Sequence, residues 1–184
     1  MKEYEDIRKN SLFYIIKSFN IENIHKALKY GVWSTTYSGN ILFNDAFTIA
    51  KQTKSNVYLF FSTNSTFAFQ GLAKLTSGFQ KNSFSFWKGS DKYKHFNGSF
   101  KIKWIIIKDI PNSTLDEVYL YMLIYHRSVD NIPFSKLRNA YEVPEKDAIR
   151  AIEIMKKFYY YSSLVLNEFK NFDEEESKIE REDY

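Results

Sequence analysis

Cysteine is absent from the 184 residues, which excludes disulfides, cysteine-based zinc sites and a cysteine nucleophile. Long apolar runs are missing too. None approaches the roughly 18 residues that span a bilayer, and the first ten residues, MKEYEDIRKN, are charged where a signal peptide would be apolar. The expectation is a soluble intracellular domain with no membrane association. Only six glycines occur, and none builds a phosphate-binding loop; H-E-x-x-H and G-x-S-x-G do not occur either. The three histidines, His25, His95 and His126, are scattered without metal-ligand spacing, and no carboxylates pair in assignable catalytic roles. Structural or surface histidines, no metal, no cofactor and no enzyme activity are therefore expected.

What the chain has in quantity is aromatic and basic. With 44% hydrophobic and 18% aromatic residues, it is long enough for one domain with a sizeable core and too short for a second. Of 26 basic and 22 acidic residues, the final stretch NFDEEESKIEREDY takes two and seven, leaving 24 against 15 and a charge of +9 on the rest. A basic body suggests an anionic partner; a lysine-rich solvated surface gives the same count. The acidic tail, residues 171–184, reads as a frayed helix end or disorder, and residues 1–10 as an N-terminal extension of a domain over 11–170.

Along the chain the hydrophobic period changes repeatedly. SLFYIIK (11–17) reads as a buried strand, and IENIHKALKYG (21–31) as a helix that Gly31 stops. After a polar turn, ILFNDAFTIAKQ (41–52) again spaces its apolar residues on one helical face. NVYLFFST (56–63), TFAFQGLAKLT (66–76) and SFKIKWIIIKDI (99–110) are rich in strand formers, with Asn64 and Ser65 as a hairpin turn and Phe100, Ile102, Trp104 and Ile106 alternating in the last. Residues 145–169 read as one long helix, with Pro144 and Glu145 suited to its start. VYLYMLIYHRSVDN (118–131) fits no motif and reads as core or a partner surface. This order gives an α/β fold with a curled sheet.

Trp104 lies on the apolar face of a strand and reads as core. Trp33 follows a helix-ending glycine, and Trp87 lies in QKNSFSFWKGSDKYKHFNGS (80–99), a segment both lysine-rich and aromatic-rich. Such a loop combines attraction for phosphates with faces for base stacking, which contributes about 1–3 kcal/mol per base. Rings that merely anchor the loop to the core would produce the same composition.

Several separate segments carry a resemblance. They are IIKSFNIENIHKALKYGVWSTTYSGNILFNDAF (15–47), VYLFFSTNSTFAFQGLAKL (57–75) with its F-S-x-N and F-x-G-x-A elements, FNGSFKIKWIIIKDIPN (96–112) and FSKLRNAYEVP (134–144). Together they resemble the YTH domain family, in unbroken order from about residue 11 to 170. The resemblance implies a PUA-like fold, a curled mixed sheet or open barrel surrounded by helices. It also implies a monomeric reader of N6-methyladenosine in single-stranded RNA, working through an aromatic cage.

By position the resemblance makes Trp33 and Trp87 cage walls and Phe96 the third, with Tyr93 as its rival. It brings the Asn23 side chain to adenine N1, the Phe19 backbone N–H to N3 and the Ser34 carbonyl to the remaining N6 hydrogen. Lys17, Ser18, Thr35, Arg138 and Asn139 would meet the RNA backbone, with Lys88, Lys92, Lys94 and Lys136 as further contributors. Where the family usually has aspartate after the matched arginine, this chain has Asn139. The Gly-Val-Trp-Ser-Thr segment and Asn23 resemble the nuclear group of the family, which implies a nuclear role in mRNA processing, such as polyadenylation or splicing, beside processing-complex proteins. Non-specific single-strand binding and protein interaction are the alternatives on this scaffold.

Overall fold

β1 (Leu12–Ser18) alternates two sets of apolar side chains: Phe13 and Ile15 enter one core, Tyr14 and Ile16 the other. A strand with that pattern must be covered on both faces. Its neighbour β3 (Val57–Thr63) is buried at every residue and lies parallel to it, Leu12 opposite Val57. Antiparallel pairing adds β4 (Ala68–Leu75), the long β6 (Gly98–Pro111) and the two-residue β2 (Val32–Trp33), in the order β1-β3-β4-β6-β2, while β5 (Gln80–Lys81) also pairs with β6. The computed structural model describes residues 7, 9–81, 87, 98–124, 127–159 and 162–182.

Helices cover the two faces. α1 (Ile21–Tyr30) and α2 (Tyr37–Gln52) close over Ile16, Leu59, Phe61 and Phe100, while α4 (Glu145–Lys157) packs Ala148, Ala151, Ile152 and Met155 against Phe13, Phe60, Leu72 and Ile106. Between β6 and α4 come the short α3 (Asn112–Leu115) and a separate hairpin of β7 (Tyr119–Ile124) and β8 (Arg127–Pro133). That hairpin holds most of the segment without a motif, and Val118 just before it is fully buried in the core. α5 (Leu164–Asn167) and α6 (Phe169–Glu182) complete the chain.

Three local expectations are corrected. The supposed polar turn before residue 41 is already helix: α2 starts at Tyr37, because Thr36 caps it by accepting from Gly39 N–H. The hairpin turn read at Asn64 and Ser65 is present, β3 and β4 pairing antiparallel across a 3₁₀ turn over Asn64–Thr66 with Phe67 left-handed at φ 51°. In β6 a register shift sets Trp104 opposite Ala73 but Ile106 opposite Leu72. One extra residue flips the pleat, so Phe100 and Ile102 face one core and Ile106 the other.

The helix read over 145–169 ends at Lys157 instead. The fully buried Lys108 donates to the Phe158 carbonyl at 2.9 Å, Asp109 N–H donates to Ser162 O and the Asp109 carboxylate accepts from Leu164 N–H. Phe158, Tyr159, Ser162 and Ser163 lie outside helix, and Ser163 caps α5. The acidic tail is helical through Glu182 and packs against α1, with Lys29 paired to Asp173 and Glu176.

Candidate nucleotide-binding site

The end of β1 and the two helix starts that follow build one cavity. Asn20 caps α1: its Oδ1 accepts from Asn23 N–H at 3.0 Å, and Ser18 Oγ donates to the Asn20 carbonyl at 2.7 Å. Gly31 closes α1 in the left-handed region, φ 64°, where a side chain would be strained. That turn directs Val32 and Trp33 onto β6, opposite Lys101 and Phe100. Residues 140–143 pair with the outer edge of β1, Ala140 N–H to Ile15 O at 2.8 Å and Val143 N–H to Phe13 O at 2.8 Å. This brings Asn139 to the same place, where its Oδ1 accepts from Lys17 N–H at 2.9 Å.

The cavity has a volume of about 160 Å³, roughly ten times what a single water needs. Its lining includes Trp33, Trp87, Asn23 and Ser34, together with Lys17, Ser18, Phe19, Thr35 and Asn139, all among the residues expected from the sequence. The two indoles meet at 5.4 Å between ring centroids with planes at 69°, forming a corner. Behind it Trp33 stands edge-on to Phe61 at 5.0 Å, and Phe61 packs on Trp104 at 4.7 Å. Trp104 itself donates Nε1–H to the Ala27 carbonyl, as a core residue would. Phe19 is exposed beside the cavity.

Two polar atoms of the lining, Trp33 Nε1 and Ser34 Oγ, are buried and have no hydrogen-bond partner among the described residues. Buried groups of this kind carry a desolvation cost that a ligand with donors and acceptors around its edge would relieve. Lys17 is turned inward, its ammonium donating to Ser135 O at 3.0 Å and Ser62 Oγ at 3.3 Å, and burial lowers its pKa from the ordinary 10.5. A phosphate contact from Lys17 therefore competes with those two bonds. Arg138 and Lys136 are exposed, Arg138 next in sequence to the lining residue Asn139. Phe96, Tyr93, Lys88, Lys92 and Lys94 lie outside the described residues, as do His95 and His126.

Two lining residues were not singled out from the sequence, Thr36 and Asn64. Asn64 is the asparagine of the F-S-x-N element, so its signal was present; Thr36 is marked only as the helix cap that sequence reading placed later. Among the described residues no helix is long and apolar enough to cross a membrane, and no group of His, Asp or Glu could hold a metal ion.

The profile of the YTH family, described as "YT521-B-like domain", matches residues 11–156. The chain belongs to the YTH family. Human YTH domain-containing family protein 3 is 32% identical over 184 residues, covering 98% of this chain and 30% of that protein. YTH domain-containing protein ECT4 of Arabidopsis thaliana is 34% identical over 181 residues, covering 96% and 27%. The chain thus spans under a third of the length of the curated relatives it matches. The Pho92 YTH domain, solved in complex with m6A, superposes with a TM-score of 0.71 at 27% identity, over 86% of this chain and 94% of that one. The YTH domain of Zygosaccharomyces rouxii MRB1, solved in complex with N6-methyladenosine RNA, gives 0.70 at 24% identity over 88% and 95%. The curled mixed sheet flanked by helices is the YTH architecture.

Proposed function

We propose that this YTH chain is a monomeric binding domain, not an enzyme, that takes a single N6-methyladenine out of single-stranded RNA into the cavity between Trp33 and Trp87. The observation that carries this reading is the indole corner with Asn23 and Ser34 in the same lining. N6-methyladenine is neutral, so the rings would hold it by burial and dispersion. Its one remaining N6 hydrogen needs an acceptor, the role assigned to the Ser34 carbonyl. Asn23 donates to N1 as a neutral amide at any ordinary pH, and Phe19 N–H serves N3.

Burying one methyl group is worth roughly 0.8 kcal/mol, and a hydrophobic pocket discriminates one methyl by about tenfold to a few hundredfold. The test is a titration of two short single-stranded RNAs, identical except for one N6-methyl group, at fixed moderate salt. The methylated strand is expected to bind at least about tenfold tighter, with one strand per chain. Equal binding of both strands would leave a non-specific single-strand binder and end this reading.

The wider role we infer is nuclear mRNA processing, such as polyadenylation or splicing. Its support is narrower: the segment Gly31 to Thr35 and Asn23, which resemble the nuclear group. Imaging the tagged protein in cells tests it, and a wholly cytoplasmic signal would count against it.

A further inference from the structure

α1 carries Asn23 on one side and is gripped on the other. At 100° per residue, His25 lies about 200° round the helix from Asn23. There it is fully buried, its ring 4.5 Å from that of Phe169 and 5.6 Å from that of Phe172, both on α6. Lys29, one turn further, donates to Glu176 at 3.0 Å and pairs with Asp173, while Lys26 stands 3.9 Å from Glu176. Glu176 is itself buried, so its pairs with Lys29 and Lys26 are not the solvated surface kind that contributes little, whereas the Asp173 side chain is 44% exposed and its pair with Lys29 is of that kind. The α6 residues lie beyond the stretch that the YTH profile matches, residues 11–156.

A ten-residue helix is marginal in isolation. α1 is tied to the sheet by Trp104 Nε1–H on the Ala27 carbonyl and at its start by the Asn20 cap. Its outward face is held by α6. We propose that α6 is a positioning element of the nucleotide site, in which Lys29, His25 and their α6 partners press α1 inward and fix Asn23 in the cavity wall. The acidic tail thus serves recognition from behind the helix, without touching the ligand. This rests on the methyladenosine reading and extends it to a segment on the far side of α1.

The test is a double-mutant cycle read by affinity for the methylated RNA. Lys29→Glu, which sets like charges against Asp173 and Glu176, is expected to weaken binding by about 2- to 30-fold. Lys29→Glu with Asp173→Lys, which restores an opposite charge at 173 at unchanged net charge but leaves the clash with Glu176, should recover part of it. In an Asn23→Ala background Lys29→Glu should cost nothing further, because the position it protects is already gone. Should Lys29→Glu fail to fold by circular dichroism, Glu176→Gln replaces it in the same cycle. Equal losses with and without Asn23, or unaltered affinity, overturn the proposal while the wild-type preference for methylated RNA stands. A wild type without that preference fails the reading beneath it, so the two failures are told apart.

Discussion

Trp33 and Trp87 meet at 5.4 Å as one corner, and both are buried in the core that α1 and α2 cover, where Trp33 stands edge-on to Phe61 at 5.0 Å. Trp33 is thus both cavity wall and packing residue, and sequence alone could not separate the two. Trp87→Ala is expected to weaken binding of methylated RNA by roughly 1–3 kcal/mol. Trp33→Ala should cost a similar amount in binding, and each variant, having lost a buried indole of the same core, about 3–5 kcal/mol of stability in addition. Isothermal titration and urea unfolding on both variants check this. Wild-type stability in either variant would take that ring out of the core, and full retention of methyl preference in Trp87→Ala would take that ring out of the cage.

Gly71, the glycine of the F-x-G-x-A element, is a point where the fold tolerates no side chain. Its φ is 150°, and a Cβ there would run into the Ile106 carbonyl of the neighbouring strand. The β3–β4 and β4–β6 registers both shift beside it. Gly71→Ala combines backbone strain of about 1–3 kcal/mol with overpacking of about 1–3 kcal/mol. Its urea midpoint should fall steeply with the slope unchanged. A variant within about 0.5 kcal/mol of wild type, the range of an innocuous surface change, would show that β4 and β6 can part here without cost.

The strands β1, β3, β4 and β6 and the stop at Gly31 were legible because each depends on local chemistry: runs of aromatic and β-branched residues, and a glycine where the chain must turn left-handed. The helix ends were not, because distant residues set them. Nothing in FYYYSS announces that Lys108 will take the Phe158 carbonyl, and nothing in the acidic tail announces that Asp173 and Glu176 will meet Lys29, which lies 147 residues before Glu176. The flip at Ile106 escaped a strict period of two because a bulge breaks the period. At the site, Trp33, Asn23, Ser34 and Asn139 were legible through motif spacing. The commitment of Asn139 Oδ1 to Lys17 N–H was not, although a carboxylate oxygen at this position has the same capacity to accept.

Acid should weaken the fold through His25. Burial lowers its pKa from the ordinary 6.5; Glu176 and Asp173 oppose the shift, and Lys29 and Lys26 add to it. The unfolded chain therefore takes up a proton near pH 6.5 that the folded chain accepts only at lower pH. Where the unfolded state binds more protons, stability falls as pH falls, by up to about 1.4 kcal/mol per unit of pKa difference. This contribution is lost from about pH 6.5 downward. Urea unfolding of wild type and His25→Leu at several pH values separates it from the carboxylates: the variant should lose less stability between neutral and mildly acidic pH. Parallel pH profiles would assign the acid sensitivity elsewhere.

Arg138 offers the plainest test of the RNA backbone, since it is exposed beside Asn139 while Lys17 is turned inward. A side chain that meets only phosphate releases counterions on binding and carries no information about the base. Arg138→Ala should therefore weaken methylated and unmethylated RNA by similar factors and reduce the slope of log affinity against log salt by about 1. Lys17→Met should change that slope little, because the Lys17 ammonium donates to Ser62 Oγ and Ser135 O; its effect should appear in stability instead. A selective loss of the methylated strand in Arg138→Ala would move that residue from the backbone to the base, and a slope change in Lys17→Met would mean that RNA draws the lysine out of its interior bonds.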